Sequence, residues 1–322
     1  MDLVCHMTKC TPTSMVASAR IARFIADTLH LPLLHTVEEI EHVRLQVADK
    51  GLRRFILVNS PTAFAPQEMR LAVADFVHSS EEAIYAHNDY KLRPPSQCKS
   101  QNLRKHGYTP GESIDYYGMR LWTNMPVREQ DLYINWNELT YNPQPQPTQP
   151  RKHGLVYWGA LRKGREDRIR RFFNTDAYPT VISTAGQSVK KFREFAHAST
   201  QYVTQFKNMP ADLTQFEATV YIHDKFNDHV YNSPPNRFYE AVSAGLALFV
   251  HQPCVYSLER AGYTVQPAWI VRNSDEIAKR LPYAASIARD QAIAWQRDVR
   301  PGLVDQLQQL QAHPVQPQRR GK

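Results

Sequence analysis

The sequence contains no run of 18 apolar residues, and its first stretch, MDLVCHMTKC, has neither a charged segment nor a long apolar one. We therefore predict a protein without a membrane-spanning helix or a secretion signal. The four cysteines, Cys5, Cys10, Cys98 and Cys254, form no CxxC pair and no recognised zinc spacing with the histidines. In a chain without an export signal they are expected to be reduced thiols.

Length and charge set broad limits on the function. At 322 residues the chain has room for two domains that each bury a core. The net charge of +8 favours a polyanionic partner such as nucleic acid. A soluble positive surface without such a partner would give the same charge.

Alternating strand and helix patterns predict α/β domains with parallel sheets, whose ligands lie at the carboxyl ends of the strands. The stretch YNPQPQPTQPRKHG, with its four prolines, predicts an extended linker between two domains. Residues 117–124 and 132–139 read as further strands of the first domain, and 265–271 as a strand of the second. A long helix over 284–313 is expected to break at Pro301.

Residues 231–250, YNSPPNRFYEAVSAGLALFV, predict a loop, a helix of about three turns and a buried strand. Ser233 suits the helix cap, and Gly245 ends the helix. The amino end of such a helix favours a phosphate, Arg237 would neutralise its charge, and Glu240 would accept hydrogen bonds from a ribose diol. An ordinary amphipathic helix with an exposed Glu and Arg would also fit.

The stretch LVYWGALRKGRE predicts a strand, a turn and a helix. Gly159 and Gly164 would allow close backbone approach, and Arg162, Lys163 and Arg165 offer positive charge. The arrangement is compatible with phosphate binding, although any tight turn would also favour glycine.

The segment PNRFYEAVSAGLALF resembles the donor-binding segment of GT-B glycosyltransferases. The resemblance implies two Rossmann-like domains facing each other across a cleft. Residues 1–145 would bind the acceptor, 146–285 the nucleotide sugar, and 286–322 would form a helix crossing back to the first domain, with a basic tail. The resemblance assigns the ribose to Glu240. Eight residues earlier, where longer versions of the motif carry a second acid, this chain has Asn232, so inverting and retaining chemistry both stay open.

The same resemblance implies which residues surround the donor diphosphate: Asn236, Arg237, Gly159, Arg162 and Arg165. A GT-B enzyme often needs no metal, because a helix dipole and basic side chains stabilise the leaving diphosphate. The sequence has no Asp-x-Asp, and its stretches 223–225 and 227–229 fit a donor-site loop better than a metal site. We expect no cofactor beyond the donor itself, a UDP-sugar.

The acceptor side is predicted around residue 89, after a strand that ends at His87. Asp89 is the candidate base that removes a proton from the acceptor hydroxyl, with His87, Asp115 and His6 as alternatives. An Asn-Asp pair of this kind also forms ordinary turns. The basic stretch that follows would bind DNA phosphates, or would be a solvated loop; its candidate residues are Tyr90, Lys91, Arg93, Lys99, Arg104 and Lys105. Three further aromatic residues, Tyr116, Tyr117 and Trp122, would stack on an exposed base.

These features together resemble the DNA-modifying glycosyltransferases of bacteriophages. The predicted function is transfer of a hexose or pentose from a nucleotide sugar to a hydroxyl group on a modified base in double-stranded DNA. The expected location is the cytoplasm, that of the host if a phage encodes the protein. A glycosyltransferase with a saccharide, lipid-linked or protein acceptor is one alternative, and a non-catalytic nucleic-acid-binding protein is another.

Overall fold

The computed structural model describes residues 1–6, 16–58, 75–77, 79–87, 119–123, 131–141, 151–161, 164–206, 211–223 and 234–312. The chain divides into two compact units, Met1–Thr140 with Val304–Lys322, and Tyr141–Leu303. Each unit is built on its own six-stranded sheet, in which all neighbouring strands run parallel. The predicted pair of Rossmann-like α/β domains is confirmed. No helix in the described ranges is both long and apolar enough to cross a membrane.

The first unit has the strand order β2-β1-β3-β4-β5-β6. Its elements are β1 (Asp2–His6), α1 (Val16–Leu29), β2 (Leu33–Leu34), α2 (Val37–Lys50), β3 (Leu52–Val58), β4 (Ser80–His87), β5 (Arg120–Thr123), β6 (Leu132–Tyr133) and α3 (Trp136–Thr140). Helix α2 begins with a capping box, in which Thr36 and Glu39 bond to each other's backbone N–H groups. Apolar residues of β1, β3 and β4 form the core together with α2.

The sequence-based strand over 132–139 is wrong in its second half. Strand β6 ends at Tyr133, and helix α3 begins at Trp136. The side chain of Asn135 accepts a hydrogen bond of 3.3 Å from the backbone N–H of Glu138, as a helix cap does. The helix buries Trp136 and Leu139, so apolar residues that suggested a strand instead serve one face of a short helix.

The second unit has the strand order β12-β11-β10-β7-β8-β9. Its elements are β7 (Lys152–Trp158), α4 (Glu166–Phe173), β8 (Thr180–Thr184), α5 (Gly186–Arg193), β9 (Gln201–Thr204), β10 (Phe216–Tyr221), α6 (Asn236–Ser243), β11 (Ala247–His251), α7 (Val255–Arg260), β12 (Ile270–Val271), α8 (Ser274–Arg280) and α9 (Ala284–Ala312), whose residues from Val304 onward belong to the first unit. The order reverses between β7 and β10, which is where open α/β sheets bind ligands.

Three predicted elements of this part of the chain differ from the observed ones. Helix α6 begins only at Asn236, after Pro235 at the cap position, and spans about two turns rather than three. The strand predicted over 265–271 is reduced to β12, because Pro267 opens a 3₁₀ turn before it. Helix α9 continues through Pro301, where a break was predicted, and buries Val299 and Leu310 on either side of it.

Candidate functional site

The candidate site lies at the carboxyl edge of the second sheet, where the strand order reverses. Helix α4 follows β7, and helix α6 follows β10, the neighbouring strand. Parallel strands bring the segments after their carboxyl ends to one edge, so the amino-terminal regions of α4 and α6 share this edge.

Three arginines, Arg165, Arg168 and Arg237, gather here, and we call them the arginine cluster. Arg165 lies just before α4 and Arg168 three residues later, on the same side of the helix. Nη1 of Arg165 donates a hydrogen bond of 3.3 Å to Oη of Tyr157 on β7. The guanidinium of Arg237, at the second position of α6, lies 4.8 Å from the centre of the Tyr157 ring. Arg165 and Arg237 therefore both contact the side chain of Tyr157.

The arginine cluster creates a positive potential that shifts the pKa values of the groups beside it. Burial alone would raise the pKa of Tyr157, but the guanidiniums of Arg237 and Arg165 outweigh burial and hold the pKa of the phenol below its ordinary value. Burial, together with the charge of Arg165, lowers the pKa of Arg237 against the opposing effect of Tyr157. Because these cations repel one another, the site favours an anionic ligand.

His223, directly after β10, belongs to the same site. Its side chain is buried, and its backbone oxygen accepts a hydrogen bond from Nη1 of Arg168. The same nitrogen lies 3.2 Å from Sγ of Cys254. Burial first, and then the charges of the arginine cluster, keep the pKa of His223 well below its ordinary value. The imidazole is therefore neutral near pH 7.

Glu240 lies on α6, one turn after Arg237, and is only 5% exposed. Its Oε2 accepts a hydrogen bond of 2.7 Å from Nε1 of Trp158, and its Oε1 accepts one of 3.1 Å from the hydroxyl of Tyr141. The sequence placed Glu240 on a polar helix face, whereas the structure buries it with two donors. These bonds fix the orientation of the carboxylate; its role toward a ribose stays a prediction.

The turn after β7 carries two of the predicted glycines. Gly159 has a φ of +105°, and Gly164 has a φ of +90°, a conformation that favours glycine. A Cβ atom at either position would meet no atom of the described residues within 4 Å. The N–H of Gly159 is already used, since it donates to the backbone oxygen of Ser183 at 3.0 Å. A small cavity adjoins Arg237 and is also lined by Trp158 and Pro235.

Of the residues predicted around a diphosphate, the structure brings Arg165 and Arg237 together, and it places Asn236 at the start of α6. Arg162 lies outside the described residues, as does Ser233. The acceptor-side predictions also lie outside them: Asp89, Tyr90, Lys91, Arg93, Lys99, Arg104, Lys105, Asp115, Tyr116 and Tyr117. The side chains of His87 and His6 are likewise outside the description. These assignments stay predictions.

One aromatic prediction is wrong. Trp122 was expected to stack on an exposed base, but its side chain has no exposed surface. It packs against Trp136, with ring centres 6.4 Å apart, and its backbone oxygen accepts a hydrogen bond from the indole of Trp136. Its strand is covered by α3, the helix that the sequence analysis had read as a strand.

Sequence reasoning missed Arg168, Tyr157 and His223. The three-residue spacing between Arg165 and Arg168, directly after a strand and a glycine turn, could have indicated the second arginine. Nothing local marks Tyr157, because a tyrosine in a buried strand is ordinary. His223 had been considered only as part of a loop and a possible metal ligand. Within the described ranges, no group of three or more His, Cys, Asp or Glu side chains could hold a metal ion.

No protein-family model matches the chain, and no curated protein matches it in sequence. Its fold is nevertheless similar to solved structures. One is a T4 phage β-glucosyltransferase in complex with UDP and Mn²⁺, at a TM-score of 0.61 and 13% identity, covering 97% of this chain and 98% of that one. Another is a mutant of the T4 phage enzyme in complex with UDP-glucose, at a TM-score of 0.63, 13% identity and the same coverage.

A third similar structure is an α-glucosyltransferase in complex with UDP and a 13-mer DNA containing an HMU base. It has a TM-score of 0.54 and 10% identity, and the match covers 97% of this chain and 95% of that one. All three matches extend over nearly the whole length of both chains. The chain therefore has the GT-B fold that the resemblance implied.

Proposed function

We propose that this protein is a glycosyltransferase that moves a sugar from a UDP-sugar to a hydroxyl group. The observation that carries the proposal is the arginine cluster, which concentrates positive charge at the sheet edge where α/β folds bind ligands. The lowered pKa of Tyr157 reports that charge even though the phenol is buried. A diphosphate is the anion that this fold accommodates in the similar structures with UDP or UDP-glucose.

The donor-side residues have the following proposed roles. Arg237 and Arg165, with Arg162 and Asn236, hold the diphosphate, Gly159 lets the backbone approach it closely, and Glu240 accepts hydrogen bonds from the ribose. As the bond from the sugar carbon to the diphosphate breaks, negative charge grows on the leaving oxygen. Guanidiniums already fixed around it stabilise that charge without rearrangement. Asp89 is the proposed base that takes the proton of the acceptor hydroxyl.

The proposed acceptor is a hydroxymethylated base in double-stranded DNA. Two observations favour it over a saccharide, lipid-linked or protein acceptor. The net charge of +8 suits a polyanion. Similar folds include a DNA-modifying β-glucosyltransferase and an α-glucosyltransferase bound to DNA. Metal-independent transfer is also proposed, because the arginine cluster supplies the charge that a metal would otherwise provide, and transfer is expected to persist in EDTA.

The first experiment measures the melting temperature with UDP, UDP-glucose and other nucleotide sugars. A ligand that binds only the folded state stabilises it by about 2.7 kcal/mol at a hundred times its Kd. Arg237→Gln should abolish most of the shift with UDP-glucose. Arg170→Gln, an exposed substitution on α4, is the matched control and should keep it. No shift with any nucleotide would contradict the donor site and favour a non-catalytic nucleic-acid-binding protein.

The second experiment measures transfer of labelled sugar from the donor identified above. The acceptors are a DNA duplex with a hydroxymethylated base and the same duplex without it. Incorporation only into the modified duplex, weakened by added salt, is the expected result. Donor binding and hydrolysis without incorporation into any duplex would overturn the DNA acceptor and leave the glycosyltransferase proposal standing.

A further inference from the structure

His223 has one ring nitrogen with a hydrogen-bond partner and one without. Its Nε2 lies 3.2 Å from Oγ of Ser257 on α7, whereas its Nδ1 is buried and has no hydrogen-bond partner among the residues that the structure describes. Ser257 uses its single hydroxyl hydrogen in a bond of 2.7 Å to the backbone oxygen of Cys254. Oγ of Ser257 therefore accepts from Nε2–H of the imidazole, and Nδ1 of His223 carries a bare lone pair.

The charged and polar groups around this imidazole come from several elements. The arginine cluster contributes the positive charges of Arg165 and Arg168, from the start of α4, and of Arg237 from α6. The ring of Tyr221, at the end of β10, meets the imidazole edge to face at 4.3 Å between centres. Of the described residues, Ser257 contacts the imidazole directly, and Tyr157 and Cys254 contact Arg165 and Arg168. In this environment a second proton on the imidazole would be repelled by three cations.

A bound diphosphate would bring negative charge to the arginines and so remove their opposition to protonation, while burial of the imidazole would continue to oppose it. We propose that His223 takes up one proton from solvent when the donor diphosphate occupies the arginine cluster, so that donor binding strengthens as the pH falls. The proton goes to Nδ1 of His223, which changes from a bare lone pair to an N–H donor. The inference rests on the proposed function, since it needs a diphosphate at this site.

The role of His223 is that of a charge-balancing residue for the donor site. It would let one site change its net charge between the empty and the occupied state. By linkage, the affinity for the donor changes up to about tenfold per pH unit for each proton taken up. The effect is confined to the range below about pH 6.5, where an imidazole with ordinary surroundings becomes protonated.

The test is calorimetric titration of the full chain with UDP-glucose at pH 5.5, in two buffers with different heats of ionisation. The difference in heat gives the number of protons taken up. UDP-glucose is the right probe because its diphosphate is esterified at both ends and lacks the terminal-phosphate ionisation near about pH 6. The expected result is net uptake of a fraction of one proton on binding, with an affinity that rises between pH 7 and pH 5.5.

His223→Asn should bind UDP-glucose without proton uptake and with an affinity independent of pH over this range. The matched control is His251→Asn, at the end of the adjacent strand β11. His251 is also buried, but its charged neighbours are Arg168 and Arg171 rather than Arg165 and Arg237. This variant should therefore keep the proton uptake.

The outcomes separate this inference from the proposed function. Binding of UDP-glucose to the unmodified protein without proton uptake would overturn the role of His223 alone, whatever the variants do. Uptake that persists in His223→Asn would overturn it as well. Absence of UDP-glucose binding at every pH would overturn the donor site and this inference together. Because the unmodified protein gives a result by itself, misfolding of a variant does not block the test.

Discussion

The two units differ in the groups that contact their buried arginines. In the first unit, Nε of Arg54 on β3 lies 3.1 Å from Oε2 of Glu82 on β4, and Nη1 of Arg120 on β5 lies 3.3 Å from Oε1 of the same carboxylate. In the second unit, Arg165 donates to a phenol and Arg168 to a backbone oxygen. Two arginines share one buried carboxylate in the first unit, and two arginines, Arg165 and Arg237, contact one buried phenol in the second.

Under the proposed function, the buried charges of the first unit stabilise the fold, and those of the second unit bind the donor. Glu82 is 2% exposed and gives its two arginines the opposite charge that a buried ion needs in the folded state. In the second unit the charges of Arg237 and Arg165 hold the pKa of Tyr157 below its ordinary value, and the arginine cluster adds to burial in lowering the pKa of His223. The proposed diphosphate would offset this positive charge.

The largest expected effect on stability comes from Glu82→Gln. Removing one partner of a buried ion pair leaves the other charge uncompensated, which costs about 3–5 kcal/mol of unfolding free energy. Urea denaturation measures the loss. Glu81→Gln, the exposed neighbour on the same strand, is the control and should change stability by less than about 0.5 kcal/mol. Equal stability of the two variants would mean that the first unit does not depend on this carboxylate.

Arg237→Gln should give the reverse pattern. Under the proposed function, loss of this cation beside the leaving diphosphate is expected to lower the transfer rate about 10²- to 10³-fold. Unfolding free energy should change by less than about 1 kcal/mol, since the variant also relieves repulsion with Arg165. Transfer kinetics and urea denaturation of the same preparation measure the transfer rate and the unfolding free energy. If Arg237→Gln lost as much stability as Glu82→Gln and still transferred sugar at the normal rate, the expected difference between the two units would be contradicted.

Much of the second unit could be predicted from local sequence. The order of residues around NRFYE placed Arg237 and Glu240 on one helix, and the strand, glycine turn and helix pattern placed Arg165 at the start of the next helix. The partners of Glu240 could not be found this way, because Tyr141 is 99 residues away along the chain and Trp158 is 82 residues away. The short helix α3 was missed for a related reason. With only Trp136 and Leu139 as buried apolar residues, the helix is too short for a 3.6-residue apolar period to be recognised.

Acid should weaken the second unit before the first. Burial, with Arg168 and Arg171, lowers the pKa of His251 to about 4, so the folded state holds this imidazole neutral while the unfolded chain binds a proton below about pH 6.5. The contribution is present above that pH and is lost as the pH falls toward 4. The shifted carboxyl groups Asp2 and Glu39 of the first unit have lowered pKa values and titrate below this window.

The expected loss from His251 between pH 6.5 and pH 5 is about 1–2 kcal/mol. Urea denaturation at the two pH values measures it. His251→Asn should reduce the pH dependence but not remove it, because His223 contributes in the same direction. An unchanged slope in His251→Asn would show that this imidazole does not carry the acid sensitivity.

The smallest expected effect concerns Glu240, the buried carboxylate of the second unit that corresponds to Glu82 in the first. Tyr141→Phe removes the hydroxyl that donates to Oε1 of Glu240 at 3.1 Å and leaves the bond from Trp158 in place. The loss should cost about 1 kcal/mol of stability, since a typical hydrogen bond contributes this much.

If Glu240 also holds the donor ribose, the variant should bind UDP-glucose several-fold more weakly, because the carboxylate loses one of the bonds that orient it. Calorimetry with UDP-glucose and with the ribose-free ligand pyrophosphate separates the two effects. A decrease for UDP-glucose alone would support the ribose role, whereas equal affinities before and after the substitution would leave Glu240 as a purely structural acid, like Glu82.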